Sequence, residues 1–303
     1  MLSLVLADPA GGPLPSWTPG AHVDLDLAPG LRRSYSLCGD PADERQWKVA
    51  VLREQAGRGG SEHVHTKLRP GDLLPVVGLR NNFELRPAGE YLFIAGGIGI
   101  TPLLPMIAAA QAAGTPWRLL YGGRRRPSMA FLGALSAYGQ AGTEAQSRIR
   151  VLPQDEAGLL PLAEAVAATG PGAIVYCCGP EPLLAAAEKC CADAGRELRL
   201  ERFAARPATE PAGPDTEFDV ICQRSGVTVT VAVGQTVLEA LENAGLPVVS
   251  SCQEGVCGTC ETAVLEGDVD HRDSLLTPAE QAAGDTMFIC VSRSRSPRLV
   301  IDL

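Results

Sequence analysis

The chain has no apolar run of the roughly 18–20 residues that a membrane-spanning helix requires. Its longest candidate, residues 91–113, is interrupted by Gly96, Gly97, Gly99, Pro102 and Pro105. The N-terminal stretch MLSLVLADPAGG has no basic residues and is acidic at Asp8, so it does not read as a signal peptide, and a cytoplasmic location is expected. No internal repeat is present. No Ser/His/Asp arrangement or carboxylate pair suggests hydrolytic chemistry. The histidines at 22, 63, 65 and 271 have no ligand spacing, and the paired C-x₂-C motifs usual for zinc are missing. Charged residues are slightly sparse at 20%, against an ordinary hydrophobic content of 46%.

Length and charge bound what remains. A chain of 303 residues predicts two or three domains with cores large enough to need no disulfides. Residues 217–303 hold 13 acidic and 5 basic side chains, a net of −8 out of −9 for the whole chain. That imbalance reads either as a solvated acidic surface or as a face that docks a basic protein. It argues against nucleic-acid binding.

Pattern divides the chain. Residues 1–86 carry short alternating strands, HVDLDL (22–27), WKVAVL (47–52) and a third in GDLLPVVG (71–78), separated by Pro and Gly turns. Residues 87–205 alternate buried strands (YLFIAGG, WRLLYGG, RIRVLP, AIVYCCGP) with helices at 102–114, 130–139 and 182–195, the signature of a parallel α/β sheet. Residues 206–216, RPATEPAGPDT, read as a linker. Residues 217–303 combine alternating strands, a helix in TVLEALENAG and a cysteine-rich loop.

Ten cysteines in a reducing compartment point to metal or redox chemistry where they cluster. Cys252-x₄-Cys257-x₂-Cys260, followed by Cys290 after 29 intervening residues, has the spacing of plant-type [2Fe–2S] ligands. The competing readings are a zinc site and unrelated core cysteines. Gly255 and Gly258 permit the tight loop, and Cys290 is expected on the apolar strand MFICVS. Such a cluster carries one electron. Cys38, Cys177, Cys190, Cys191 and Cys222 read as small buried side chains.

Two phosphate-type signals precede it. The string Arg33-Ser34-Tyr35-Ser36-Leu37 is followed, after the next strand, by Gly57-Arg58-Gly59-Gly60-Ser61 opening a helical stretch. Arg58 and the Ser61 hydroxyl would add hydrogen bonds to a phosphate. Gly96-Gly97-Ile98-Gly99-Ile100-Thr101-Pro102 occupies a strand-to-helix switch suited to a pyrophosphate. Taken singly, the alternatives are an Arg-bearing strand and an ordinary helix-entry turn.

The order of these motifs resembles the phthalate dioxygenase reductase family, and among its members the vanillate O-demethylase reductase subunits, over nearly the whole chain. The resemblance implies an antiparallel flavin-binding β-barrel (1–86), a parallel α/β nucleotide-binding domain (87–205) and a C-terminal β-grasp ferredoxin domain (217–303). It implies that Arg33, Ser34, Tyr35 and Ser36 hold FMN, with Arg58, Gly59, Gly60 and Ser61 on its phosphate. Gly97, Gly99, Thr101 and Pro102 match the nicotinamide-nucleotide loop, Arg124 the adenosine side, and Cys178, Gly179 and Pro180 the segment beside nicotinamide C4. Phe203 matches an aromatic at the flavin face. Ser36, Thr101 and Cys178 are expected to shape hydride transfer. Cys252, Cys257, Cys260 and Cys290 would ligate the cluster. NADH is the expected donor, with NADPH open because Arg124, Arg125 and Arg126 suit a 2′-phosphate. The family usually carries one more strand before the segment that begins here at Met1. The implied function is a monomeric oxygenase reductase whose acidic C-terminal domain docks the acceptor, a Rieske non-haem iron oxygenase acting on an aromatic acid or ether. A cytochrome P450 acceptor, a redox sensor and a flavin reductase with a vestigial ferredoxin domain are the alternatives.

Overall fold

A computed structural model describes residues 1–54, 57–139, 141–142, 147–206 and 215–303. Contacts divide the chain into two units, Met1–Arg202 and Phe203–Leu303. Residues 207–214 of the expected linker lie outside the described residues. No described helix is long and apolar enough to cross a membrane.

The first unit opens with antiparallel strands. β1 (Leu2–Leu6), β2 (His22–Ala28), β3 (Leu31–Ser36), β4 (Trp47–Val51) and β5 (Val76–Arg80) pair as β1–β4 and β3–β2–β5, and a bridge from Leu37 to Val49 links the two sets. Val23, Leu25 and Leu27 of β2 alternate into a core with Leu37, Trp47, Val49 and Val51. The opposite face of β2 is polar and also covered. Asp24 is fully buried, taking a hydrogen bond from Ser34 Oγ at 2.5 Å and an ion pair from Arg80 at 2.7 Å. The strand expected within 71–78 begins only after Pro75, which has no N–H to give a ladder. The short helix α1 (Gly60–Thr66) drops Val64 into the same core.

Six parallel strands follow: β6 (Glu90–Gly96), β7 (Trp117–Gly123), β8 (Ala141–Gly142), β9 (Ile149–Pro153), β10 (Ala173–Cys178) and β11 (Glu197–Glu201). Their spatial order is β11-β10-β6-β7-β9-β8. Helix α2 (Leu103–Ala112) packs Leu103, Met106 and Ile107 on one face beside Phe93, Leu119 and Tyr176. The segment expected as one helix at 130–139 is instead α3 (Leu132–Leu135) and a 3-10 turn, because Phe131 enters left-handed (φ 60°) and Ser136 Oγ bonds back to the Gly133 carbonyl at 2.6 Å. After the single turn α4 (Gln154–Ala157), α5 (Leu162–Ala167) and α6 (Glu181–Ala194) cover the other face through Leu162, Val166, Leu184 and Cys191.

The strand order reverses at β6. The chain builds outward through β7 and β9, then returns to place β10 on the other side of β6. In such a sheet, ligands bind beyond the carboxyl ends of the strands at that reversal.

The second unit contains a mixed five-stranded sheet. β12 (Phe218–Cys222) and β13 (Val227–Val231) form a hairpin. After helix α7 (Val237–Asn243) come β14 (Glu261–Glu266), the short β15 (Val269–Asp270), helix α8 (Pro278–Ala283), β16 (Thr286–Phe288), the short β17 (Arg293–Ser294) and β18 (Arg298–Ile301). The order is β13-β12-β18-β14-β16, with β12 and β18 parallel. Helix α7 starts at a capping box formed by Thr236 and Glu239 and packs Leu238 and Leu241 into the core with Val220, Met287, Leu299 and Ile301. This helix-on-sheet arrangement is the expected β-grasp.

Candidate functional site

At the reversal the strand ends deliver the two loops that the sequence marks. β6 runs into Gly97–Ile100, and β10 ends at Cys178 before Gly179 and Pro180. A Cβ on Gly99 would lie 2.3 Å from the Cys178 carbonyl oxygen and 2.8 Å from the Gly179 amide nitrogen, so only glycine lets these backbones meet. Thr101 is buried, with its hydroxyl bonded to the Ile98 carbonyl at 2.9 Å. Pro102 caps α2. Tyr121, at the carboxyl end of the neighbouring strand β7, braces the loop with its hydroxyl 3.1 Å from the Gly97 carbonyl.

Strand register adds a residue that sequence reasoning missed. Ala95, Cys178 and Glu201 align across β6, β10 and β11. Aligned side chains share a face, and Cys178 Sγ lies 3.9 Å from Glu201 Oε2. The same oxygen accepts from Ser36 Oγ at 3.2 Å. Glu201 thereby joins the end of the RSYS strand to the CGP loop. Burial pushes its carboxyl up to about 8, against smaller lowering by the Ser36 and Cys178 hydrogen bonds, so it is a protonated acid at neutral pH. Burial, with the nearby Glu201 carboxyl, raises the Cys178 thiol far above its ordinary range, which leaves a neutral thiol rather than a nucleophile.

The RSYS and GRGGS strings also meet. A Cβ on Gly60 would fall 2.6 Å from Arg33 Cγ, so the arginine side chain lies directly across the helix entry, and its guanidinium donates to the Arg58 carbonyl. Gly59 supplies the left-handed turn (φ 80°) before α1. Ser61 Oγ accepts from the Glu54 amide at 3.0 Å and closes the loop. Tyr35 is pushed up to about 12 by burial and remains a neutral phenol. The Ser34 hydroxyl is committed to Asp24. At the far edge Arg126 is held by Glu156 at 2.7 and 3.2 Å, while the Arg124 carbonyl accepts from Asp155 N–H at 3.3 Å.

In the second unit all four motif cysteines are buried. Cys252 is in hydrogen-bond reach of Cys257 and Cys290, and Cys290 also of Cys260. Among the described residues no three ligating side chains surround a point for a single ion. The four sulfurs form one run of contacts, Cys257 to Cys252 to Cys290 to Cys260, and a binuclear core takes four such thiolate ligands. The Glu254 amide donates to Cys252 Sγ at 3.3 Å, Thr259 Oγ1 lies 3.1 Å from Cys257 Sγ, and the Gly255 amide bonds the Cys290 sulfur. The hydrogen bond to Cys252 and burial raise the Cys257 thiol, which is a neutral thiol in the absence of a cluster. One expectation is corrected: β16 stops at Phe288, and Cys290 lies in the following turn, closed by Val291 N–H to the Phe288 carbonyl at 3.1 Å. A strand would send Cys290 along the sheet, whereas the turn folds it back toward the loop. Phe203 opens the second unit with its ring exposed.

Comparison with known proteins finds a match in each unit. Residues 93–189 match the oxidoreductase NAD-binding domain and 220–295 the 2Fe-2S iron-sulfur cluster binding domain. The chain is 46% identical to phenoxybenzoate dioxygenase subunit beta of Ectopseudomonas oleovorans, over 98% of this chain and 91% of that protein. Among solved structures, an intact type IV self-sufficient cytochrome P450 monooxygenase matches with a TM-score of 0.88 and 43% identity, over 99% of this chain but 39% of that longer one. Phthalate dioxygenase reductase matches with a TM-score of 0.69 and 34% identity, over 99% and 92%. Fold and site therefore define a modular oxidoreductase that pairs a nicotinamide-nucleotide domain with an iron–sulfur domain. The chain belongs to the phthalate dioxygenase reductase family, the reductase subunits of multicomponent oxygenases.

Proposed function

We propose that this chain takes hydride from NADH onto FMN and passes single electrons through a [2Fe–2S] cluster to an oxygenase. Bound FMN would supply the conversion between an electron pair and single electrons, since flavin exists in both redox states. The chain's own residues do geometric work. Gly97, Gly99, Thr101 and Pro102 hold the nucleotide at the strand reversal, with Gly179 and Pro180 closing its other side and Arg124 on the adenosine side. Arg33, Arg58, Gly59, Gly60 and Ser61 form the FMN phosphate cradle, with Tyr35 against the flavin. Ser36 and Cys178 line the hydride path and are oriented by Glu201. Cys252, Cys257, Cys260 and Cys290 hold the cluster. Arg126 is engaged by Glu156, which makes it less available to a 2′-phosphate and favours NADH.

The observation that carries this reading is the hydrogen-bonded line from Ser36 through Glu201 to Cys178, which ties the flavin motif to the nicotinamide motif. The acceptor is a Rieske non-haem iron oxygenase acting on an aromatic acid or ether, docked on the acidic residues of 217–303, with the reductase a cytoplasmic monomer. The second reading, electron supply to a P450, is favoured by the similarity to part of a self-sufficient P450 chain. Stopped-flow mixing with NADH tests the core of the proposal. Flavin absorbance should bleach in both the wild type and Cys290→Ser, while cytochrome c reduction collapses in the variant. Equal cytochrome c reduction by both proteins would contradict it.

A further inference from the structure

The three-cysteine loop is braced by a segment that carries no cysteine. Ser274 N–H donates to the Gly255 carbonyl at 3.0 Å, and Arg272 N–H donates at 3.3 Å to Ser292 Oγ, two residues beyond Cys290. A Cβ on Gly255 (φ 66°) would lie 3.0 Å from Asp273 Cα and 3.2 Å from Asp273 Cβ, so the two backbones touch. The amide of Gly255 is the one that bonds the Cys290 sulfur.

The Asp273 carboxylate is buried, and its two oxygens have different fates. Oδ1 accepts the amides of Leu275 and Leu276 at 2.9 and 2.7 Å, which shapes the turn. Oδ2 has no hydrogen-bond partner among the described residues, and neither does either ring nitrogen of His271, whose side chain is only 6% exposed. His271 Nδ1 faces that oxygen at 3.7 Å. The nearby guanidiniums are directed to other carboxylates, Arg272 to Asp215 and Asp270 at 2.6 and 2.7 Å and Arg295 to Asp270 at 3.6 Å. Shaping the turn requires an acceptor at Oδ1 but no charge, and a buried carboxylate oxygen facing an unsatisfied imidazole is costly unless the two act on each other.

We propose that His271 and Asp273 form an electrostatic pair that sets the reduction potential of the cluster held by Cys252, Cys257, Cys260 and Cys290. This rests on the cluster assignment above. Reduction adds a negative charge next to Gly255. The Asp273 carboxylate opposes that charge, and the His271 ring, whose Nδ1 faces the carboxylate at 3.7 Å, offsets the opposition electrostatically. Asp273 and His271 are positioning residues, and the two should act with opposite sign.

The test uses full-length holoprotein, with a redox titration followed by EPR of the reduced cluster. Asp273→Asn keeps the acceptor for Leu275 and Leu276 and removes only the charge. Its midpoint potential should rise, with iron content and EPR line shape unchanged. His271→Phe leaves the carboxylate without the polar ring that faces it, and its potential should fall. Shifts of the same sign, no shift in either variant, or loss of iron from both would overturn the pair as a potential-setting device. A wild-type protein with no EPR-active reduced cluster would instead sink the cluster assignment itself.

Discussion

Glu201 shows how much of the site depends on environment rather than residue type. Nothing in the string LERF marks its glutamate, because no local motif surrounds it. Its role appears only when β11 pairs with β10 in a register that sets Glu201 beside Cys178 and beneath Ser36. Ser36, Cys178 and the four motif cysteines can be proposed from sequence because each belongs to a string of fixed spacing. The environment of Glu201 has a consequence for stability. Unfolded, the carboxyl loses its proton near its ordinary 4.5; folded, it keeps the proton up to about 8. The native state binds the extra proton across that window, so this group's contribution to stability declines as pH rises through it. Thermal melts of the wild type should lose more stability between pH 5 and 8 than those of Glu201→Gln. Equal slopes would mean the carboxyl is not held protonated.

At the scale of elements, strongly patterned segments were readable and context-dependent ones were not. The strands β6, β7 and β10 are mostly apolar and buried, and stand where expected. β1 and β11 are not marked by pattern because they are short edge strands whose side chains are exposed or only half-buried. Residues 130–139 misled because apolar content suggested a helix, while Gly133 and the left-handed Phe131 break it into turns. The two critical glycines should respond differently to the same change. In Gly99→Ala the new methyl meets backbone atoms of Cys178, which have nowhere to go, so a loss of about 1–3 kcal/mol is expected with weaker NADH binding. In Gly60→Ala it meets the flexible Arg33 side chain, so the fold should survive while FMN affinity drops. Denaturant melts beside flavin titrations separate these outcomes. A Gly99→Ala protein as stable as wild type would contradict the close approach.

At the scale of the molecule, the modular order was legible because each module has its own pattern: alternation, strand–helix succession, then cysteine spacing. What binds the modules functionally was not, since cross-strand register leaves no trace in composition. The charge asymmetry is a whole-chain property with a kinetic meaning. A net of −8 over 217–303 should steer a basic acceptor toward the iron–sulfur unit. Electron transfer to cytochrome c should therefore slow as ionic strength rises from about 0.01 to 0.15 M, over which the screening length falls from about 30 to 8 Å. NADH-dependent flavin bleaching should stay nearly constant over the same range. Equal salt sensitivity of both steps would place the acceptor elsewhere.

One polypeptide here joins a carrier of electron pairs to a carrier of single electrons. Anaerobic reductive titration of the purified chain, with visible absorbance and EPR recorded together, counts those electrons directly. The account predicts two electrons taken up with flavin bleaching and a third with the EPR signal of a reduced [2Fe–2S] centre, a third that disappears in Cys290→Ser. Uptake that ends with the flavin in the wild type, with no iron–sulfur signal after cluster reconstitution, would contradict it.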